Sequence, residues 1–178
     1  MASIISSLTT TQIAGLDSAS IASLTTVDWA AFSSAQLTAL TTAQMAAVST
    51  SGLRAITTAA LAGFETADLA ALSTRQIQAF GTAAIEALGT AQFEGLSSAQ
   101  VGALTSAQLR AMQTADIVAL GSADVATMGT AQIAAFTSSQ INALDTNQLA
   151  GMSTAQIAAL NTAQLSGMDS SDFVALGT

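Results

Sequence analysis

Apolar residues recur at a fixed spacing along the whole chain. A large apolar side chain stands at every multiple of eight, from Leu8, Leu16 and Leu24 through Phe32 and Leu40 to Met168 and Leu176. Three residues before each lies a second apolar column: Ile5, Ile13, Ile21, Trp29 and Leu37, and so on to Leu165 and Phe173. Two residues after each comes Ser or Thr, from Thr10 and Ser18 to Ser170 and Thr178. The residue just before each is small, as at Gly15, Ala31, Ala39, Gly95, Ala143 and Gly167. No insertion disturbs the register, so the chain is one octad written 22 times.

A short fixed period is the mark of a solenoid, whose units bury their apolar faces against their neighbours. Eight residues of continuous α-helix overshoot two turns by roughly 80°, so the apolar stripe would wind around the rod and one long helix is excluded. A continuous strand fails too, because spacings of three and five, both odd, put the two columns on opposite faces. The filler between them is mostly Ala and Gln, which favour helix. The pattern therefore predicts an all-α solenoid of about 22 very short helices, one per octad. None would persist alone, because nucleation is costly at this length.

Two registers can start each helix. In Thr130-Ala131-Gln132-Ile133 the invariant Thr130 can serve as N-cap, and the preceding column, which holds Gly81, Gly89, Gly121, Gly129 and Asn161, then suits a left-handed residue closing the previous helix. In Thr41-Thr42-Ala43-Gln44 the cap moves one residue earlier and Gln44 completes a capping box. The first is preferred, since glycine cannot cap by side chain whereas Ser or Thr is invariant two residues after the Leu column. A longer period overlies the octad. Phe32, Phe64, Phe80, Met112 and Met128 keep a 16-residue phase that slips by one octad to Phe136, Met152 and Met168, which suggests pairing into 16-residue αα units.

Composition narrows the function. Arg54, Arg75 and Arg110 are the only cations, there is no Lys, His or Cys, and the net charge is −8. Nucleic acid and anionic membrane surfaces want basic clusters, so neither is expected as a partner. Ser, Thr and Gln interrupt every octad, which argues against membrane insertion. Without His or Cys the usual general bases, thiol nucleophiles and zinc ligands are missing. The hydroxyls have no base beside them. No catalytic, cofactor-binding or metal-ligating residue is assigned, and the chain is expected not to be an enzyme.

The column four residues after the Leu column carries the remaining polar chemistry. Twelve octads hold Gln there, including Gln12, Gln36 and Gln44, and five hold Asp: Asp28, Asp68, Asp116, Asp124 and Asp172. In the preferred register this is the second helical residue, where a carboxylate meets the positive helix end. Asp116 and Asp124 could share a cation, but nothing near them supplies the roughly six to eight oxygens that calcium takes. The glutamines have two readings: good helix formers in a first turn, or a ladder of amides bonding from one solenoid turn to the next. Trp29 reads as an enlarged core residue whose N–H needs a partner.

Units such as LTTAQMAA at Leu40 to Ala47, LSTRQIQA at Leu72 to Ala79 and MSTAQIAA at Met152 to Ala159 resemble the LTTAQ-type octapeptide arrays of very long, repetitive bacterial proteins of secreted or adhesin-like type. The resemblance spans essentially the whole chain and implies a surface stalk, spacer or scaffold; it transfers no binding residues. Residues 1–178 read as a single elongated array without a linker. Met1 to Ser7 lack the cationic and apolar pattern of an export signal. The first octad, with Ile4, Ile5 and Leu8, and the last, with Phe173 and Leu176, are as apolar as the middle, as expected of a piece of a longer array or of ends that stack on other copies. The expected function is structural and extracellular: a spacer or stalk, or a filament subunit that assembles head to tail with itself. The alternative is a ligand-binding surface for ice, glycan or protein on a repeat scaffold.

Overall fold

The computed structural model describes residues 3–177, so Thr178, the last member of the Ser/Thr column, lies outside it. Among the described residues every octad forms one helix. Twenty are α-helices of four to six residues, and two, Ile5–Ser7 and Ala60–Gly63, are 3-10 turns. The octad Thr105 to Met112 shows how. Thr105 is extended (φ −73°, ψ 157°), Ser106–Ala111 is helical, and Met112 returns to extended backbone (φ −67°, ψ 141°). Each octad is thus one and a half turns of helix followed by a short extended corner.

That corner reconciles the two apolar columns. Within a helix the Ile and Leu columns are three apart and share a face. The five residues to the next octad cross the extended corner, so both columns point inward throughout. From Ile5 to Leu149 no member of the Ile column is more than 2% exposed. The buried apolar residues form a single cluster running from Ile5 to Leu176. Burying each such side chain is worth about 1.5–3 kcal/mol, which offsets the cost of ordering helices too short to stand alone.

Helices pack on partners three octads along the chain. Thr26–Ala30 lies against Thr50–Ala55, Ser34–Thr38 against Ala60–Gly63, and Ser98–Ala103 against Ser122–Thr127. The 16-residue pairing suggested by the Phe and Met phase is not the packing unit. Side chains meet across 24 residues because the chain must circle the core before a helix meets another, and no helix here is long enough to fold back on its successor. The small column permits the close approach. A Cβ added at Gly95 would lie 1.9 Å from Thr66 Cγ2, and one at Gly63 would lie 2.0 Å from the Ser34 carbonyl oxygen.

Candidate functional site: the glutamine seam

The helix starts correct the preferred register. The N-cap is the column directly after Leu, not the invariant Ser/Thr. Thr105 Oγ1 accepts from the Gln108 N–H at 3.3 Å while Gln108 Oε1 accepts from the Thr105 N–H at 2.9 Å, a reciprocal capping box. The same box forms at Ser33 with Gln36, Ser97 with Gln100 and Thr137 with Gln140. Glycine serves in this column because the other half of the box suffices: the Gly89 and Gly129 N–H groups both reach the glutamine three residues on, at 2.7 Å. Nor do these glycines adopt the left-handed conformation expected of a helix end. Gly81, Gly89, Gly121 and Gly129 have φ between −68° and −96°, and among the described residues only Gly177 has positive φ. The Gln and Asp column is therefore the third helical residue, not the second.

The Ser/Thr column falls at the first helical position, and several of its hydroxyls reach the coil that follows. Thr90 donates to Asp116 Oδ1 (3.2 Å), Ser98 to Asp124 Oδ1 (2.6 Å) and Ser138 to the Ala163 carbonyl (2.9 Å). Asp116 and Asp124 are thus engaged by separate partners. Among the described residues no group of three or more His, Cys, Asp or Glu is placed to hold a metal ion.

The glutamines serve the first turn of their own helix, and of the expected ladder only the donating half crosses between coils. While Oε1 caps its own helix, Nε2 donates to backbone carbonyls of the preceding coil, 28 and 31 residues back in most coils and 28 and 30 back at Gln76 and Gln132. Gln100 reaches Leu69 (2.8 Å) and Leu72 (2.7 Å); Gln108 reaches Ile77 (2.8 Å) and Phe80 (2.9 Å); Gln156 reaches Val125 and Met128, both at 2.8 Å. The amides do not bond to one another. They accept within their own helix and donate to the coil behind, so they form a seam along the solenoid. Helix contacts at three octads and glutamine contacts into the fourth place one superhelical turn between 24 and 32 residues. Gln12, with no described coil behind it, keeps the cap and is exposed.

Most of the accepted carbonyls belong to the two apolar columns, with Ala46 and Gly102 standing in at Gln76 and Gln132, at the end of each helix where the backbone leaves regular bonding. Buried acceptors need donors. Only glutamine supplies an acceptor for the cap and two N–H groups with enough reach.

Where Asp replaces Gln, the cap survives and the donors are lost. Asp68 Oδ2 accepts from the Glu65 N–H at 3.0 Å, and Asp116 Oδ2 from the Gln113 N–H at 3.0 Å. Burial pushes the Asp68 carboxyl above the ordinary range, partly opposed by the Glu65 N–H and reinforced by the Glu65 charge. Burial likewise raises Asp116 against the pull of the Gln113 N–H and the Thr90 hydroxyl. The less buried carboxyls go the other way: half-buried Asp28 is lowered by the Thr25 and Ser3 hydroxyls, and exposed Asp17 by Ser20 and Asp169 by Ser171 and Asp172.

These directions fix a pH dependence. A carboxyl raised in the fold destabilises at neutral pH, and the penalty is relieved as pH falls through its folded value toward the ordinary 3.8. The lowered carboxyls stabilise above 3.8 and lose that contribution only below it. Between neutral pH and about 4 the protein is expected to gain stability on acidification. Asp68→Gln, which supplies donors facing the Leu37 and Leu40 carbonyls by the register of the seam, should stabilise by about 1–2 kcal/mol at neutral pH. It should also remove part of the acid gain. A melting temperature at pH 7.5 below that of the parent would refute the seam at this position.

Trp29 breaks the seam differently. Its ring stacks on Phe32 at 4.7 Å, and its Nε1 is buried without a hydrogen-bond partner among the described residues. Gly52 stands where glutamine would be, and a Cβ there would lie 2.5 Å from that Nε1. The enlarged core residue thus takes the room that the next coil's glutamine would need.

Matches to the family described as the ALTTAQ repeat cover residues 50–82, 61–96, 85–114, 109–146 and 141–178. The chain belongs to the ALTTAQ repeat family. No curated protein matches it, and no solved structure does. The ALTTAQ pattern explains itself in the seam: the first Thr after Leu caps, the second opens the helix and touches the next coil, Ala fills the second helical position, and Gln closes the box and reaches back. Residues ahead of the matched region build the same unit, with Thr41, Gln44 and the Ile13 carbonyl joined as in later ALTTAQ octads.

Proposed function

We propose that this chain is a non-enzymatic structural repeat acting outside the cell as a spacer or stalk, and as a filament subunit where its coils stack end to end. The observation that carries this reading is the unlike character of the two faces of a coil. The first coil leaves Leu8, Leu16 and Leu24 half-buried while Ile5, Ile13 and Ile21 are fully covered. In the last coil the columns exchange roles: Ile157 and Leu165 are half-buried and Phe173 is 37% exposed, whereas Leu160, Met168 and Leu176 are buried. The apolar Leu face of the first coil therefore complements the apolar Ile face of the last, and a second copy stacked there would repeat the apolar contact made between successive coils. Such an interface is heterologous and extends without closing.

Other observations support a structural role. The seam's amides from Gln36 onward are engaged within the fold, and the hydroxyls of Thr90, Ser98 and Ser138 bond to the next coil. Among the described residues no helix is long and apolar enough to cross a membrane.

Electron microscopy and light scattering of the purified chain over a range of concentrations test the reading. Fibres that disappear in a Leu165→Asp variant are expected for end-to-end stacking. Isolated short rods at every concentration would remove the filament and keep the spacer, while compact particles that are neither would overturn both.

A further inference from the structure

We propose that the cleft shared by Arg54 and Arg75 is an oxyanion site, taking the sulfate or phosphate group of a small ligand. Two of the chain's three cations line this one cleft, of about 410 Å³, together with Thr50, Gln78, Ala79 and Thr105. No carboxylate lines it, although the sequence carries eleven.

The two arginines are not explained alike. Arg54 Nε donates to the Ala79 carbonyl at 3.3 Å, and Arg110 Nε to the Ala135 carbonyl at 2.9 Å, the same link to a backbone carbonyl 25 residues on. That bond orients the guanidinium and leaves its charge uncompensated. Arg75 has no such duty. It is the second residue of the short helix Thr74–Ile77, in a column that elsewhere holds mostly Ala and otherwise only uncharged residues. Its side chain is exposed and makes no hydrogen bond or ion pair to any described residue. Packing would be served by the alanine of the neighbouring repeats.

Two guanidinium groups on one cleft repel unless an anion lies between them. Their planar forks suit tetrahedral oxyanions, which they bind by paired charge-assisted hydrogen bonds. Gln78 is fixed at the cleft wall by its Nε2 bond to the Ala103 carbonyl at 2.8 Å, which connects the site to the following coil. With a net charge of −8 the chain as a whole repels long polyanions, so the site suits one group and not a polymer backbone.

Isothermal titration of the full chain at low ionic strength tests the site, with inorganic sulfate and phosphate in one arm and a sugar monosulfate and monophosphate in the other. Saturable one-site binding is expected, weakened at least tenfold by Arg75→Gln and unchanged by Arg110→Gln. Tighter binding of the esters would identify an esterified ligand; tighter binding of the free ions, an inorganic one. Because Arg75 bonds to nothing in the fold, its variant should keep the parent's circular dichroism and melting temperature. Absence of saturable binding, indifference to Arg75→Gln, or an equal loss with Arg110→Gln would overturn the proposal.

Discussion

Gln108→Glu should destabilise the solenoid by about 3–5 kcal/mol at neutral pH, the cost typical of leaving a buried charge uncompensated. Gln108 is 2% exposed. Its Oε1 function is kept in the variant, because a carboxylate still accepts from the Thr105 N–H. The two donors to Ile77 and Phe80 are lost, and a negative charge faces both carbonyl oxygens instead. The carboxyl would resist ionisation, so its folded pKa would be raised. The defect should therefore be largest above that value and shrink as pH falls, when a protonated glutamic acid can donate again. Repeat arrays open locally, so hydrogen exchange resolved along the chain is the measurement of choice. Faster exchange is expected around residues 77–80 and 105–112. Parent-like protection there at pH 7.5 would show that the seam contributes little.

Gly63→Ala should be comparably damaging for a steric reason. Its added Cβ would sit 2.0 Å from the Ser34 oxygen, 2.7 Å from its carbonyl carbon and 2.9 Å from its Cα, all of them backbone atoms that cannot rotate away. Gly63 also accepts from Thr38 Oγ1 at 3.1 Å through its carbonyl, so separating the strained pair breaks a second contact between the same helices. Overpacking costs about 1–3 kcal/mol where side chains can yield. With backbone on both sides, about 3 kcal/mol or more is expected. Gly81→Ala is the matched control: nothing lies within 4 Å of its Cβ position and its φ of −72° suits alanine, so a change within about 0.5 kcal/mol is expected. Equal melting temperatures for the two variants would show that the coils have room to separate at Gly63.

Much of the fold was legible before any coordinates. The strict octad predicts one helix per repeat and both apolar columns in the core. The helix start differs from the one that the invariant column suggests, because invariance does not mark the cap. The cap column tolerates glycine at Gly89 and Gly129 since the glutamine three residues later satisfies the backbone N–H from the other side. The Ser/Thr column is restricted by a different demand, a compact polar residue beside the coil that follows. The signal for the correct register was present in units such as Thr41-Thr42-Ala43-Gln44, where Thr41 and Gln44 have the three-residue spacing of a capping box.

Local sequence by itself determined that each octad makes one short helix, and in octads such as Thr105 to Met112 a capping box and the extended corner after it are made within eight residues. It also determined which columns turn inward, since their spacing fits a face of a short helix. Only the tertiary structure decided which octads meet. Partners 24 residues apart, and the carbonyls 28 to 31 residues behind the seam's glutamines, depend on how many corners close one turn of the superhelix, a sum of small angles that no single octad specifies. The same closure brought Trp29 against Gly52 and placed Arg54 and Arg75 on one cleft, contacts between residues that the repeat alone leaves unrelated.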